Sequence, residues 1–197
     1  MYLWRRPTEQ QIRNFLAAQA QVEFSYAEVG ATRNGELPSG YVVDHTRVPL
    51  GSGLHTFDRA AAALRNWQHY RFGWIQLHRP QASPAAGQTV GVVARAAGLW
   101  VVSACRVVYV VDEDKPLRRF AFAYGTLAEH PERGEERFQV EWRRDDDTVW
   151  YDILAFSRPQ QWLSRLTRVY VRRKQKQFGR ESARAMQEAV LGAAASG

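Results

Sequence analysis

The sequence predicts an α+β fold in which a curved antiparallel sheet wraps around a long C-terminal helix, with an extra helix at the N-terminus. Three observations lead there. Six strand-like segments follow one another from residue 71 to residue 156, joined by connections short enough to require antiparallel pairing. The last segment has helical spacing and an apolar stripe. Seven Trp, eight Tyr and nine Phe favour a β-rich body with bulky side chains that pack or line a hollow.

The elements follow in order. Thr8-Glu9-Gln10-Gln11 has the form of a capping box behind Pro7, and Ile12, Phe15 and Leu16 come at helical spacing, so a helix is expected over 8–20. "ATRNGELPSGY" is turn chemistry, with Asn34-Gly35 and Pro38 as punctuation. Residues 41–50 alternate as a strand. "TFDRAAAALRNWQHY" reads as a second helix with Phe57, Ala60, Ala61, Leu64 and Trp67 on one face. Strands are then expected over 71–78, 89–95, 99–111, 117–126, 135–144 and 148–156. Near the C-terminus the apolar face changes. Trp162, Leu163, Leu166 and Val169 form one stripe, and Val171, Phe178, Ala185 and Ala189 another. A short helix near 160–166, a break over 167–170 and a long helix over 171–191 follow from that.

At 197 residues, 45% of them hydrophobic, a single domain over 1–197 is expected, with residues 1–40 as a helical extension. Cys105 is the only cysteine, which excludes an internal disulfide and a cysteine-based zinc site and fits a reducing, cytoplasmic setting. "MYLWRRPTEQ" lacks the apolar core of a signal peptide, and no apolar run reaches the roughly 20 residues of a membrane span.

Specific motifs add a resemblance. "GLWVVSACRVVYVVDE", "RFAFAYGTLAEHPERGEERF" and "VWYDILAFSRP", together with "GYVVDHTRVPLGSG", "ALRNWQHYRFGW" and "RKQKQFGRES", resemble uncharacterised protein family 0548, a group of unknown function in bacteria and plants. The resemblance covers nearly the whole chain. One departure is Tyr170-Val171, where a Tyr-Pro pair is expected to open the last helix. The element order also resembles the START-like helix-grip fold of the birch-pollen-allergen and polyketide-cyclase superfamily. That resemblance implies an apolar or amphipathic small molecule, or a lipid, held between sheet and helix, with no cofactor; fold alone does not fix function.

The residues themselves suggest where polar groups meet such a cavity. Glu136, Phe138, Val140 and Trp142 share one strand face, and Glu135, Arg137, Gln139 and Glu141 the other. The first set is apolar, so Glu136 is expected on the cavity side, near Tyr124 and Thr126 of the preceding strand. A carboxylate facing an apolar interior is costly unless paired. Arg106, interrupting "VVSACRVVYVV", is the candidate partner. The expected anchor is therefore Arg106, Tyr124 and Glu136. An ion pair that sets strand register without any ligand explains the same residues.

His130 lies on the loop between the two strands, where a general base or a solvated imidazole both fit. His130, Glu132, Glu135 and Glu136 have no recognised metal spacing, so no metal is expected. Asp152 interrupts an apolar strand and faces either the pocket or the outside. His45 reads as a half-buried, satisfied histidine and Cys105 as a small buried hydrophobe. No Ser-His-Asp set, phosphate loop or dinucleotide fingerprint is present.

The net charge is +7 and the sequence pI about 9.9, much of it from the last helix. Arg168, Arg172, Arg173, Lys176 and Arg180 there read first as a solvated face. Nucleic acid or an anionic membrane surface is the lesser expectation, because no recognised nucleic-acid motif accompanies the charge. Three functions stay open: a small-molecule binder, an enzyme using the same cavity for cyclase- or hydrolase-like acid–base chemistry, and an adaptor for an anionic partner.

Overall fold

The computed structural model describes residues 1–78, 83–96, 98–160 and 168–194. Its elements are β1 (Tyr2–Leu3), α1 (Glu9–Gln19), α2 (Ala31–Asn34), β2 (Val42–Ser52), α3 (Leu54–Arg65), β3 (Ile75–His78), β4 (Thr89–Ala96), β5 (Leu99–Glu113), β6 (Arg118–Thr126), β7 (Glu132–Arg143), β8 (Thr148–Pro159) and α4 (Arg168–Ala194). The expected short helix near 160–166 falls almost wholly on residues 161–167, outside the described residues. The expected break over 167–170 is not found at 168–170, where α4 is already helical, three residues before the expected start at 171.

All strand pairs are antiparallel, in the order β2-β8-β7-β6-β5-β4-β3. β1 pairs with β5 at Trp100 and Val101, before β6 takes up that side of β5 from Cys105 onward.

The inner face of the sheet carries the main core. Phe120, Phe122, Phe138, Val140 and Tyr151 meet Phe57, Ala60, Ala61 and Leu64 of α3 and Phe178, Met186 and Val190 of α4. Helical spacing supplies those stripes and strand alternation supplies the facing layer. Helix α4 approaches the sheet closely at Gly179, where a Cβ would lie 2.7 Å from Thr46 Oγ1.

The second helix ends earlier than its sequence suggests. Trp67 adopts a left-handed φ of 57°, and residues Gln68–Tyr70 continue as a 3-10 turn. The next strand accordingly starts at Ile75 rather than 71. The Thr8–Gln11 capping box forms as expected, with Thr8 Oγ1 accepting from Gln11 N–H at 3.2 Å and Gln11 Oε1 accepting from Thr8 N–H at 2.9 Å.

The outer face is also covered. Ile12, Phe15 and Leu16 of α1 pack on Val93, Val102 and Trp100. Residues 24–35, which carry turn chemistry only from Ala31 on, run across the outside of β6 and β7 as a strap. Phe24 bridges Leu127, Ser25 N–H donates to Thr126 O at 2.9 Å, and Arg137 donates to Thr32 O at 3.0 Å. Tyr26 fills the gap over Gly125, where a Cβ would fall 2.1 Å from the Tyr26 hydroxyl oxygen.

Candidate functional site

A hollow of about 450 Å³ lies between the inner face of the sheet and the N-terminal half of α4. Its walls are apolar: Ile75, Val92, Ala94, Leu99 and Val101 on one side, Ala155 and Phe156 on the other, and Val171 and Phe178 from the helix.

One row of side chains crosses its deep end. Strand register places Val107, Tyr124, Glu136, Ala155 and Asp44 in line across five adjacent strands. Ala155 contributes only a methyl group between the two carboxylates, which leaves room for the hollow. Asp44 is met by Arg172 from α4, whose second nitrogen lies 2.6 Å from Asp44 Oδ1.

Glu136 is met differently. Tyr124 donates its hydroxyl to Glu136 Oε2 at 2.6 Å. The Tyr70 and Tyr124 hydroxyls are in hydrogen-bond contact; when Glu136 is ionised and takes the Tyr124 proton, Tyr70 donates to Tyr124. No described residue brings a cation to this carboxyl. Burial pushes it up to about 7; the Tyr124 hydrogen bond opposes the rise and Asp44 adds to it. Burial, with Glu136 nearby, raises Tyr70 and Tyr124 far above the usual phenol range.

His130 and Thr126 line the same hollow. His130 Nδ1 lies 3.0 Å from the N–H of Glu132 and 2.8 Å from its carbonyl oxygen. Burial lowers the imidazole to about 4, so the ring is neutral near pH 7. Thr126 Oγ1 accepts from Gly134 N–H at 2.9 Å and contacts Ser25 Oγ at 2.6 Å. The hydroxyl thereby ties the β6–β7 turn to the strap.

Arg106, expected at the cavity, and Asp152, a candidate for either face, both lie on the other face. Arg106 is the register partner of Gly125 and projects outward, where it donates to Gln19 O at 3.0 Å and Ala20 O at 2.8 Å and stacks over Phe24. The expected Arg106–Glu136 pair does not form, because the end of α1 supplies carbonyl oxygens to the guanidinium outside the sheet. Asp152 also faces outward. It binds Arg137 at 2.8 Å, His45 at 2.7 Å and Arg47 at 3.2 Å. Burial would raise its carboxyl, but the His45 and Arg137 bonds outweigh it and hold it below the usual range. His45 is thus a satisfied outer-face residue. Cys105 does line the hollow, and burial pushes its thiol up, away from the reactive thiolate.

The neighbouring glutamates divide the work of the hairpin. Glu135 is 2% exposed and accepts from Tyr26 Oη at 2.7 Å, Gly30 N–H at 2.7 Å, Thr32 N–H at 3.0 Å and the Thr32 hydroxyl. It anchors the strap on the outside while Glu136 points into the hollow.

Residues that the sequence does not mark as site residues complete the site: Tyr70, Asp44, Trp74, Lys174 and, expected only in the apolar stripe of the last helix, Phe178. Alternation along β2 with Val42, Thr46 and Val48 could have placed Asp44 inside; no comparable signal marks Tyr70. Lys174 Nζ sits 4.4 Å over the Trp74 ring. On α4, Arg173, Lys176 and Arg180 are exposed, whereas Arg172 is tied to Asp44; the Arg168 side chain lies outside the described residues. No group of three or more metal-ligating side chains occurs among the described residues, and no described helix is long and apolar enough to cross a membrane.

Comparison with known proteins places this geometry. Residues 25–185 match a family described as a domain of unknown function, DUF1990. A UPF0548 protein of Dictyostelium discoideum is 32% identical over 207 residues, covering 96% of both chains. One from Deinococcus radiodurans is 35% identical over 200 residues, covering 96% of this chain and 99% of its own. Among solved structures, TTHA0849 from Thermus thermophilus superposes with a TM-score of 0.54 at 15% identity, over 77% of this chain and 99% of that one. A norcoclaurine synthase point mutant from Thalictrum, in complex with a transition-state analogue, gives 0.51 at 11% identity over 79% and 98%. At such identities the likeness concerns the fold alone, which is the helix-grip, START-like architecture.

Proposed function

This chain belongs to the DUF1990/UPF0548 family, and from that premise we propose that it binds an apolar or amphipathic small molecule in the hollow between sheet and C-terminal helix. One observation carries the reading: a roughly 450 Å³ space with mainly apolar walls and a single carboxyl, Glu136, that lacks a cation at its deep end. Ligand pockets typically run about 300–1,000 Å³ and combine apolar walls with few orienting polar groups. Tyr124 and Glu136 orient the ligand. His130 and Thr126 stand beside them. Arg106 and Asp152 serve the outer face of the sheet.

Native mass spectrometry of the purified chain, with solvent extraction of what it carries, tests this. Binding of the neutral fluorophore N-phenyl-1-naphthylamine at one site is expected, and Ala155→Trp should abolish it by filling the space between Glu136 and Asp44. A folded wild-type protein that carries no small molecule and takes up no fluorophore overturns the reading.

A second reading, acid–base catalysis in the same cavity, is favoured by the Glu136 carboxyl at about 7, where both proton forms are populated at neutral pH. It predicts turnover that is lost in Glu136→Gln even at saturating ligand. Adaptor function through Arg173, Lys176 and Arg180 has only their exposure behind it.

A further inference from the structure

Resting on the cavity reading above, we infer that the ligand carries a protonated amine that seats against Glu136, with its apolar body toward Phe178. Four other carboxylates that the fold draws inward are each partnered. Glu135 has two backbone N–H groups and two hydroxyls. Glu141 has Arg47 and Gln139, and Asp152 has Arg137, Arg47 and His45. Asp44, in the same cross-strand row, has Arg172. Glu136 has one phenol and an open side toward the hollow. An unpaired ion is the costliest group to hold in an apolar site, and a bound cation removes that cost directly.

The surroundings favour positive charge further. The Tyr124 hydroxyl donates to Glu136, which supports its ionised form. Tyr70 and Phe178, whose rings pack 5.2 Å apart, line the same hollow as Glu136, and aromatic rings tolerate a cation where they would not favour an anion. A carboxylate or phosphate headgroup at this end would meet the Glu136 carboxylate. An alcohol would satisfy the hydrogen bond and leave the charge unpaired.

The groups facing Glu136 are Tyr124 on β6, Tyr70 on the 3-10 turn, Cys105 on β5, Tyr151 on β8 and Asp44 on β2, with Lys174 entering the cavity from α4. The three phenols and the thiol are pushed upward by burial, away from neutrality. Amine binding should therefore tighten about tenfold from pH 6 to pH 8, as Glu136 passes from mostly protonated to mostly ionised around 7.

The test uses the full chain and displacement of N-phenyl-1-naphthylamine by decylamine, decan-1-ol and decanoate at submicellar concentration. At pH 8 decylamine should bind at least about tenfold more tightly than decanol, the difference expected between a charge-assisted and a neutral hydrogen bond, with decanoate weakest. Glu136→Gln should erase the preference for amine over alcohol and keep alcohol binding. The wild-type ranking and its pH dependence stand without that variant, should it fail to fold. Equal binding of amine and alcohol, or a preference for decanoate, overturns the amine assignment and leaves the cavity reading intact. Absence of fluorophore binding to folded protein overturns both.

Discussion

Replacing Glu136 by Gln should stabilise the empty protein at alkaline pH and not at acid pH. In the unfolded chain this carboxyl titrates near its ordinary 4.5; in the fold it titrates near 7. The folded state therefore holds the proton more tightly. The stability tied to that proton is fully present below 4.5 and is lost as pH rises through 7. The displacement corresponds to about 3 kcal/mol, of which roughly 2.5 kcal/mol disappears between pH 5 and pH 8. Gln carries no charge and keeps an oxygen for the Tyr124 hydroxyl, so the variant lacks this slope. Urea denaturation of both proteins at half-unit steps from pH 5 to pH 8 isolates the effect, because every other titrating group is common to the two. The variant should gain roughly 2.5 kcal/mol on the wild type across that range. A difference that stays flat within about 0.5 kcal/mol would show that water reaching through the hollow solvates Glu136 as well as bulk does, and the reasoning would fail.

Three further expectations concern other parts of the molecule. His130, held near 4 against an ordinary 6.5, contributes stability that is present above 6.5 and lost as pH falls toward 4; His130→Asn should flatten that acid limb by up to about 3 kcal/mol in urea titrations at pH 4.5 and pH 7. Glu135→Ala leaves two backbone N–H groups and two hydroxyls of the strap without their acceptor, and should cost about 3 kcal/mol with loss of hydrogen-exchange protection over residues 24–35. Gly179→Ala would ordinarily stabilise a helix by about 1 kcal/mol, but here the new methyl meets Thr46 Oγ1 at 2.7 Å. It should lower the melting temperature, and Thr46→Ala in the same chain should restore it.

Much of the scaffold was readable because it rests on periodicity. The capping box at Thr8, the alternation of Glu136, Phe138 and Val140, and the pairing of Tyr124 with Glu136 all follow from local spacing. What escaped has a common cause. Alternation shows which residues share a face and says nothing of what covers it. Arg106 looked like an interior charge, and the face of Asp152 stayed open, because the strands around them are apolar on both sides. They are so because α1, the strap and the β2 side chains cover the outside, and the strap has no period to read. The cations that satisfy Asp152 come from β2 and β7, and the oxygens that satisfy Arg106 come from main chain, which no side-chain pattern records. Tyr70 reached the site through a left-handed turn at Trp67, a backbone event that the helical stripe conceals.

Consecutive placement of Glu135 and Glu136 makes the threading of β7 self-checking. A slip by one position would exchange the two carboxyls: the strap's donors would face the wrong neighbour, and the charge meant for them would be driven into oil. Mispaired chains are thus penalised on both surfaces at once, and only the native alignment quiets the two together.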